Sequence, residues 1–240
     1  GNLKNDPRLK GVSAESENNI TTVKKGVFTS CDDDTDCPPW VITASEIKHD
    51  KNKKQLIYDD ALLKIYNVPV LYFPKFFHPD PTVKRQSGLL QPHLNNSNTL
   101  GNSLQIPYYK VISDNKDNTV YFTLFNKDTK MLQNEYRQVN KKSSLIADLG
   151  FVNNYKPANS GKKNILHFFS KFNLDLDLKD YTSSNLDVSF ERINNDTYLK
   201  VFDTVIPGNK VKPKDSDLLT NQIVLNLDHE KFKFESGIKA

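Results

Sequence analysis

An alternation of apolar and polar residues over residues 164–178 constrains the fold of this 240-residue chain more than any other feature. Successive side chains of a β-strand point to opposite faces, whereas a helix repeats every 3.6 residues and cannot present such an alternation as one face. The segment therefore predicts an antiparallel strand with one apolar and one polar face. The apolar positions are Leu166, Phe168, Phe172, Leu174, Leu176 and Leu178, and the polar ones are His167, Lys171, Asn173, Asp175, Asp177 and Lys179.

The same alternation returns towards the C-terminus. Leu186, Val188 and Phe190 alternate with polar residues, and residues 223–228 and 232–238 continue the pattern. The C-terminal part of the chain, beyond residue 98, is therefore predicted to be a series of antiparallel strands.

The predicted connections between these strands alternate in length. Short turns are expected near residues 113–117, 140–142, 179–184 and 229–231, and longer polar connections near 153–163 and 194–218. An up-and-down membrane barrel has short turns on one side and long loops on the other, so the count favours a barrel wall. The alternative is a soluble antiparallel sheet whose apolar face meets a second layer.

Shorter strand-like runs precede residue 75 and predict the end of a β-sandwich or jelly-roll. Residues 22–29 form one such run, with a Lys-Lys-Gly turn expected inside it, and residues 40–47 form another. The run from residue 55 leaves a helix possible at residues 59–66. A strand is favoured because β-branched and aromatic residues dominate and proline follows at once.

A proline-dense segment, residues 68–109, joins these two parts. Pro79, Asp80 and Pro81 at its centre predict a rigid hinge, because each proline fixes φ and lacks an N–H donor. Pro92 and Pro107 fall in predicted strands on either side of a turn at residues 95–98, and each removes a ladder hydrogen bond. An edge strand or a bulge explains them structurally, and a deliberately weak seam explains them functionally.

Charge and hydropathy exclude several classes of protein. The formal net charge is +4, from 33 Lys and Arg against 29 Asp and Glu, and the dispersed basic residues give no support to nucleic-acid binding. No apolar run approaches about 18 residues, which excludes a transmembrane helix, although a β-barrel needs none. The N-terminus lacks an apolar signal-peptide core, so we expect a cytosolic protein, a mature chain or an internal fragment.

No catalytic constellation is visible. The 5 histidines are scattered and lie in no metal, nucleophile or phosphate-loop motif. Asp175 and Asp177 stand side by side on a polar strand face, which a solvated surface explains better than acid–base catalysis. We predict neither an enzyme, nor a cofactor, nor a metal site.

Cys31 and Cys37 enclose the acidic loop DDDTD. A partial metal site is disfavoured because no second pair of Cys or His stands at zinc-like spacing. A disulfide closing the short loop and two free thiols remain as alternatives.

Several blocks of this chain, in order, resemble the LptD (OstA, organic solvent tolerance) family of lipopolysaccharide-assembly proteins of Gram-negative outer membranes. The resemblance covers about residues 10–140 and is weaker at NDTYLKVFD and beyond. The blocks are FTSC, PPWVITASEIKHD, IYDDALLKIYNVPVLYFPKFFHPDPTVKRQSGLLQP, LGNSLQIPYY and LQNEYR.

The resemblance implies a division of the chain into three parts. Residues 1–75 would be the end of a periplasmic β-jelly-roll, residues 76–91 a hinge leading into the barrel, and residues 92–240 the first strands of an incomplete outer-membrane β-barrel. The jelly-roll would receive lipopolysaccharide from the LptA bridge, along an apolar face that includes Ile57, Leu63 and Ile65. The barrel would be plugged by the lipoprotein LptE.

The resemblance also implies roles for the prolines and a cysteine. Prolines at the positions of Pro92 and Pro107 weaken the first strands beside the family's lateral gate, through which lipid leaves the barrel. Cys31 matches a family cysteine that is bonded to the C-terminal region of the barrel, and Cys37 offers an alternative partner.

The chain also departs from the family pattern. The family's barrel is far larger than the roughly nine strands that can be counted here, so we expect a fragment. A passive porin and a soluble β-sandwich binding module are the alternative functions.

Overall fold

The computed structural model describes residues 8–29, 40–80, 82–83, 85–90, 92–126, 128–157, 161, 163–206, 208 and 211–240. The chain divides into two compact units, residues 1–90 and 91–240. Nearly all regular structure is antiparallel β, which confirms the predicted all-β class. The described part of the chain contains no helix with the length and hydropathy needed to span a bilayer.

The first unit is built on a six-stranded antiparallel sheet in the order β1-β3-β4-β5-β6, with β2 also paired to β3. The strand predicted from residue 55 is confirmed, and no helix forms there. The strands are β1 (Arg8–Lys10), β2 (Ser13–Glu17), β3 (Ile20–Thr29), β4 (Trp40–Asp50), β5 (Gln55–Ile65) and β6 (Val68–Pro79), and the two-residue β7 (Gly88–Leu89) follows them.

Strand β5 changes the parity of its buried side chains at Asp60. Leu56 and Tyr58 are buried before this point, and Ala61 and Leu63 after it. Asp60 is the extra residue, and its φ of 51° lies in the left-handed region. It lets the strand keep its apolar side chains on one face. The three-residue step from Tyr58 to Ala61 is also what gave this run its partly helical appearance.

Neighbouring strands carry an extra residue at the same level, and we call these four residues the inserted row. The strand registers place Lys25 of β3 opposite Ser45, Ser45 opposite Asp60, and Asp60 opposite Pro74 of β6. Lys25 also has a positive φ, of 50°. The predicted Lys-Lys-Gly turn is wrong for this reason, because β3 runs from Ile20 to Thr29 with an inserted residue instead.

Side chains around the inserted row fix its geometry. Ser45 Oγ donates to Asp60 Oδ2 at 3.2 Å and to the carbonyl of Asp59 at 2.9 Å. The hydroxyl of Tyr72 donates to Asp60 Oδ1 at 2.8 Å. The carboxylate of Asp60 thus joins β4, β5 and β6 at the point where all three strands change parity.

The core of the first unit lies on one face of its sheet and is rich in aromatic rings. Tyr58 and Phe76 are stacked with centroids 4.5 Å apart, and Phe28 meets Tyr58 edge to face at 6.0 Å. The buried members are Phe28, Trp40, Ile42, Ala44, Ile47, Leu56, Tyr58, Ala61 and Leu63, and half-buried Leu9, Ile65, Leu71, Phe73 and Phe76 form the rim.

The second unit is an antiparallel sheet in which β9 to β16 pair in chain order and β8 pairs with β9. One short helix, α1 (Tyr198–Phe202), lies between β14 and β15. The strands are β8 (His93–Ser97), β9 (Gly101–Ser113), β10 (Lys116–Phe125), β11 (Lys130–Val139), β12 (Ser143–Tyr155), β13 (Lys163–Asp175), β14 (Ser183–Ile193), β15 (Gln222–His229) and β16 (Phe232–Lys239).

The two faces of this second sheet differ in a way the sequence pattern leaves undetermined. The predicted alternation is confirmed in β13, where Leu166 and Phe168 are exposed and His167 and Phe169 are buried. We call the side with the exposed apolar residues the open face and the other side the covered face. Exposed apolar residues on the open face include Phe122, Leu132, Leu149, Phe151, Leu166, Phe168, Phe190 and Ile223.

The connection between β14 and β15, residues 194–221, covers part of the covered face, and we call it the strap. A long polar connection was predicted near 194–218. Its length is confirmed, but its polar character is wrong, because the described part of the strap contributes α1 and a set of buried apolar residues. They pack against Leu100, Phe125, Met131, Val152, Tyr155, Ile165 and Phe169, and those of the strap are Tyr198, Leu199, Phe202, Val205, Ile206 and Val211.

Candidate functional site

A buried polar cluster links three strands of the covered face to the strap. His167 of β13 lies between Asp148 of β12, with Nε2 and Oδ1 3.2 Å apart, and Tyr198 of α1, with Nδ1 and the hydroxyl 2.5 Å apart. Gln133 of β11 donates from Nε2 to both oxygens of Asp148, at 3.0 and 2.8 Å. Each of the four residues is at most 1% exposed, so these bonds are protected from water.

Gly150 makes room for this cluster. It lies opposite His167 in the β12–β13 register. A Cβ atom at residue 150 would stand 2.2 Å from Cε1 of His167. The pairing of Gly150 with His167, which lies at a polar position of the β13 alternation, is the one signal that could have indicated a buried role for His167. Sequence reasoning treated His167 as one of several scattered histidines.

Two further side chains on the covered face hold the strap. Gln105 of β9 donates from Nε2 to the carbonyl of Val205 at 2.8 Å and to Thr123 Oγ1 at 3.2 Å. Glu191 of β14 accepts from the backbone N–H of Thr220 at 2.7 Å. The strap is therefore bonded to the sheet near both of its ends and at its centre. Sequence reasoning missed these contacts, because no local pattern relates residues that are 29 or 100 positions apart.

Below the strap, the covered face forms a groove of about 830 Å³. Its lining includes Glu135, Arg137, Lys171 and Asp187 from the sheet and Gly208 from the strap. Arg137 Nε bonds Asp117 Oδ1 at 2.7 Å, so charges in and beside the groove are paired across neighbouring strands. These charged residues alternate with apolar lining residues such as Val139, Ile146 and Val224.

Pro107 lies in β9 and is buried on the covered face, two residues from Gln105. The N–H of Asn126 bonds the carbonyl of Asn102, which fixes the pairing pattern of β9 with β10. Hydrogen-bonded pairs alternate along an antiparallel ladder, so the nitrogen of Pro107 faces away from β10. The β8–β9 ladder ends at the pair His93 and Gln105, and Pro107 is the next position at which β9 would donate towards β8.

Pro92 lies immediately before β8 rather than inside a strand. The predicted turn at residues 95–98 is correspondingly displaced, since β8 continues to Ser97 and the turn follows it. The reason is that Asn95 and Asn96 pair with Ser103 and Asn102 of β9 despite their turn propensity. The two prolines thus stand at the end of the β8–β9 ladder, one on each side.

The predicted hinge residues lie at the end of the first sheet. Pro79 is the last residue of β6 and pairs with Gln55, so it belongs to an edge strand rather than to a connection. Edge strands tolerate proline because one row of their N–H groups makes no ladder bond. The other two prolines of β6, Pro69 and Pro74, also lie in this edge strand rather than in a linker.

Asp80 is an anchoring point. Its backbone N–H donates to the carbonyl of Lys54 at 2.9 Å, and its Oδ1 accepts from the N–H and hydroxyl of Thr82 at 2.8 and 2.7 Å. Its other oxygen bonds His49. Burial alone would raise the pKa of Asp80, but the bonds from Thr82 and His49 outweigh it and hold that pKa below its ordinary value of 3.8.

His78 lies beside this anchor inside the aromatic core. Its Nδ1 bonds the carbonyl of Pro79 at 2.7 Å, which requires a proton on Nδ1, and its Nε2 then accepts from the hydroxyl of Tyr58 at 2.6 Å. Burial lowers the pKa of His78 from its ordinary value of 6.5, although the Pro79 carbonyl and Asp80 act in the opposite direction. Burial also raises the pKa of Tyr58, which remains a donor.

The three residues predicted to line an apolar face do not share one. Leu63 is buried in the core of the first unit and Ile65 lies at its rim. Ile57 is on the opposite face, between Lys48 and Phe77 of the neighbouring strands. The extra residue Asp60 explains the correction, because it shifts the parity between Ile57 and Leu63.

Some predicted residues lie outside the described part of the chain. Cys31, Cys37 and Pro81 are among them, so the disulfide and the last hinge position stay predictions. Among the described residues, no group of three or more His, Cys, Asp or Glu side chains could hold a metal ion.

Comparison with known proteins identifies the family. The family model described as LptD protein matches residues 56–176, half of the chain, from β5 to β13. The chain belongs to the LptD family. The matched range includes Pro79, Pro92 and Pro107, together with Gln105 and His167 of the covered face.

Curated LptD proteins show the extent of the match. The LPS-assembly protein LptD of Polaromonas sp. strain JS666 is 34% identical over 119 residues, which are 48% of this chain and 14% of the relative. That of Legionella pneumophila strain Paris is 30% identical over 196 residues, 76% of this chain and 22% of the relative. That of Pseudomonas aeruginosa strain UCBPP-PA14 is 27% identical over 193 residues, 79% of this chain and 20% of the relative. The chain spans less than a quarter of the length of these relatives.

Proposed function

We propose that this chain is the part of an LptD protein in which the end of a periplasmic jelly-roll is followed by the first strands of an outer-membrane barrel. In this proposal it receives lipopolysaccharide along the jelly-roll and releases it through a lateral gate. The curated relatives are named LPS-assembly proteins, which supports this function over a passive porin. No chemical step is assigned to the chain.

The distribution of polarity in the second sheet carries the barrel part of the proposal. Its open face exposes large apolar side chains, among them Leu132 at 50% and Leu149 at 47%. Its covered face buries Gln133, Asp148 and His167. A soluble sandwich would bury the apolar face and expose the polar one, whereas a barrel wall presents apolar residues to lipid and polar residues to the interior.

The rim of the first core carries the lipid-path part. Ile65, Leu71 and Phe73 are half-buried and border the fully buried aromatic cluster. We propose that acyl chains of lipopolysaccharide contact this rim on their way to the barrel, with LptA supplying the lipid and LptE filling the barrel interior. Residues 76–91 would connect the two parts, with β6 extending the jelly-roll to Pro79.

Photo-crosslinking tests the lipid path. A photoreactive amino acid is placed at Ile65 or Leu71, on the core side of the sheet, or at Ile57 on the opposite face as a matched control. In the full-length protein in cells, we expect lipopolysaccharide adducts at residues 65 and 71 and none at 57. Equal adducts at all three positions, or none at 65 and 71, would rule out this path.

The gate assignment rests on Pro92 and Pro107 and has its own test. Replacing Pro107 by Val supplies an N–H at the point where the β8–β9 ladder ends and should slow delivery of lipopolysaccharide to the cell surface. Replacing Pro69, which lies in edge strand β6, by Val is the control and should leave delivery unchanged. Unchanged delivery in the Pro107 variant would remove the gate role.

A further inference from the structure

The strap makes contact with the first hairpin of the second unit at two points. Leu100, in the turn between β8 and β9, is 3% exposed and belongs to the same buried cluster as Phe202 and Val205 of the strap. Gln105 of β9 donates to the carbonyl of Val205 at 2.8 Å. The strap leaves the sheet at the end of β14 and thus reaches back across the covered face to contact β9.

The other contacts of the strap lie several strands away. His167 of β13 bonds Tyr198 of α1, and Glu191 of β14 bonds the N–H of Thr220. Between these contacts and Gln105, the strap packs over Met131 of β11 and Val152 of β12. The strap is therefore a brace across the covered face, bonded at β9 on one side and at β13 and β14 on the other.

The attachment at Gln105 coincides with the end of the β8–β9 ladder. Gln105 belongs to the last β8–β9 pair, and the next donating position on β9 is Pro107. The Gln105 side chain is 5% exposed, so its bond to Val205 is made where water competes little. The bond and the Leu100 contact hold the hairpin where the pairing of β8 with β9 ends.

We propose that the strap is an internal brace that keeps the β8–β9 hairpin closed, and that the hairpin moves only when the strap releases Gln105 and Leu100. The inference rests on the proposed gate for its biological meaning, but the coupling itself is a property of the second unit. Opening of the β8–β9 hairpin is then controlled by the strap, in addition to the N–H groups that Pro92 and Pro107 lack.

Hydrogen exchange of the full-length protein in detergent micelles tests the coupling. Gln105→Leu removes the donor to Val205 and should raise amide exchange in β8 and in the facing part of β9 by about tenfold. Ser103→Ala is the matched control, since Ser103 is buried on the same face of β9. It should change the exchange less than about twofold. The β15–β16 hairpin should be unaffected in both variants.

A measurement on the unmodified protein covers the case in which Gln105→Leu fails to fold. The N–H groups of Val205 and Ile206 both bond the carbonyl of Phe202 inside the strap. At a pH where opening limits exchange, these two amides should exchange in the same opening events as those of β8. Exchange of β8 while residues 205 and 206 stay protected would overturn the brace, as would equal effects of Gln105→Leu and Ser103→Ala.

Delivery of lipopolysaccharide to the cell surface separates the brace from the proposed function. If both the brace and the gate are correct, Gln105→Leu changes both the amide exchange of β8 and the delivery of lipopolysaccharide. If exchange responds as expected but the full-length protein delivers no lipopolysaccharide, the proposed function fails and the brace remains.

Discussion

At the scale of single residues, buried polar groups explain more of this molecule than charge or composition do. In the first unit, buried Tyr58 bonds half-buried His78, and in the second, buried Gln133 and His167 both bond buried Asp148. Gln133 Oε1 is a buried acceptor without a hydrogen-bond partner among the described residues. Such groups cost stability when one partner is removed, so they give sharp mutational tests.

Acidification should destabilise the first unit through His78. Its pKa is lowered by burial, so below its ordinary value of 6.5 the unfolded chain binds a proton that the folded chain does not, and stability falls as pH falls. Asp80 has a lowered pKa, so it stabilises the fold above its ordinary value of 3.8 and loses that contribution in stronger acid. Both effects can be measured by urea unfolding at different pH values, monitored through the fluorescence of Trp40, the single tryptophan of the chain.

Substitution of His78 isolates its part. In His78→Gln, the loss of stability between about pH 7.5 and about pH 5 should be smaller than in the unmodified protein. The exposed His93 provides the control, and His93→Gln should keep the original dependence. An identical pH profile for all three proteins would show that His78 titrates alike in the folded and unfolded states.

Gly150→Ala should disturb the covered face. Its Cβ would lie 2.2 Å from His167, and that ring is held by Asp148 and Tyr198, so overpacking should cost about 1–3 kcal/mol of unfolding free energy. Thermal unfolding in detergent micelles measures it. Gly161→Ala, where an added Cβ meets nothing within 4 Å, should be neutral. A neutral Gly150→Ala would mean that His167 is free to move.

At the scale of elements, the sequence predicts the strands well and their irregularities poorly. Alternation identified β13, and residue type separated β5 from a helix, because both signals are local. The inserted row escaped detection, since a parity shift at Asp60 is meaningful only when Ser45 and Pro74 shift at the same level. The strap escaped for a related reason, because its partners Gln105 and His167 lie on distant strands.

Deletion of Asp60 tests the inserted row. Without it, Leu56 and Tyr58 would face away from the core that Leu63 occupies, so the first unit should not fold. Asp60→Gly keeps the residue count and suits a φ of 51°, and it should cost only about 1 kcal/mol despite losing the bonds from Ser45 and Tyr72.

The readout is the protection of β4 and β5 amides from exchange. Deletion of Asn52, an exposed residue of the β4–β5 turn, is the control and should leave the core folded. A folded first unit after deletion of Asp60 would show that the strands can adjust their register independently.

At the scale of the whole molecule, the second unit exposes large apolar side chains on the open face, which we propose to face lipid. Arg in place of Leu149 or Leu166 on the open face should destabilise the protein in lipid by about 2–4 kcal/mol, depending on depth. Leu218, which is 59% exposed in the strap, gives a matched control, and Leu218→Arg should have little effect. Folding titrations in lipid vesicles measure the difference. Equal effects at the three leucines would contradict a lipid-facing open face.

The inserted row restricts which insertions and deletions the strands of this family can accept during evolution. An extra residue in one strand alone would move half of that strand's side chains to the other face, whereas extra residues in β3, β4, β5 and β6 at one level keep the register the same on both sides of the row. Lengths of the four strands can therefore change only together. We expect LptD relatives that lack the residue matching Asp60 to lack those matching Lys25, Ser45 and Pro74 as well, so that gaps in a family alignment appear as a linked set of four.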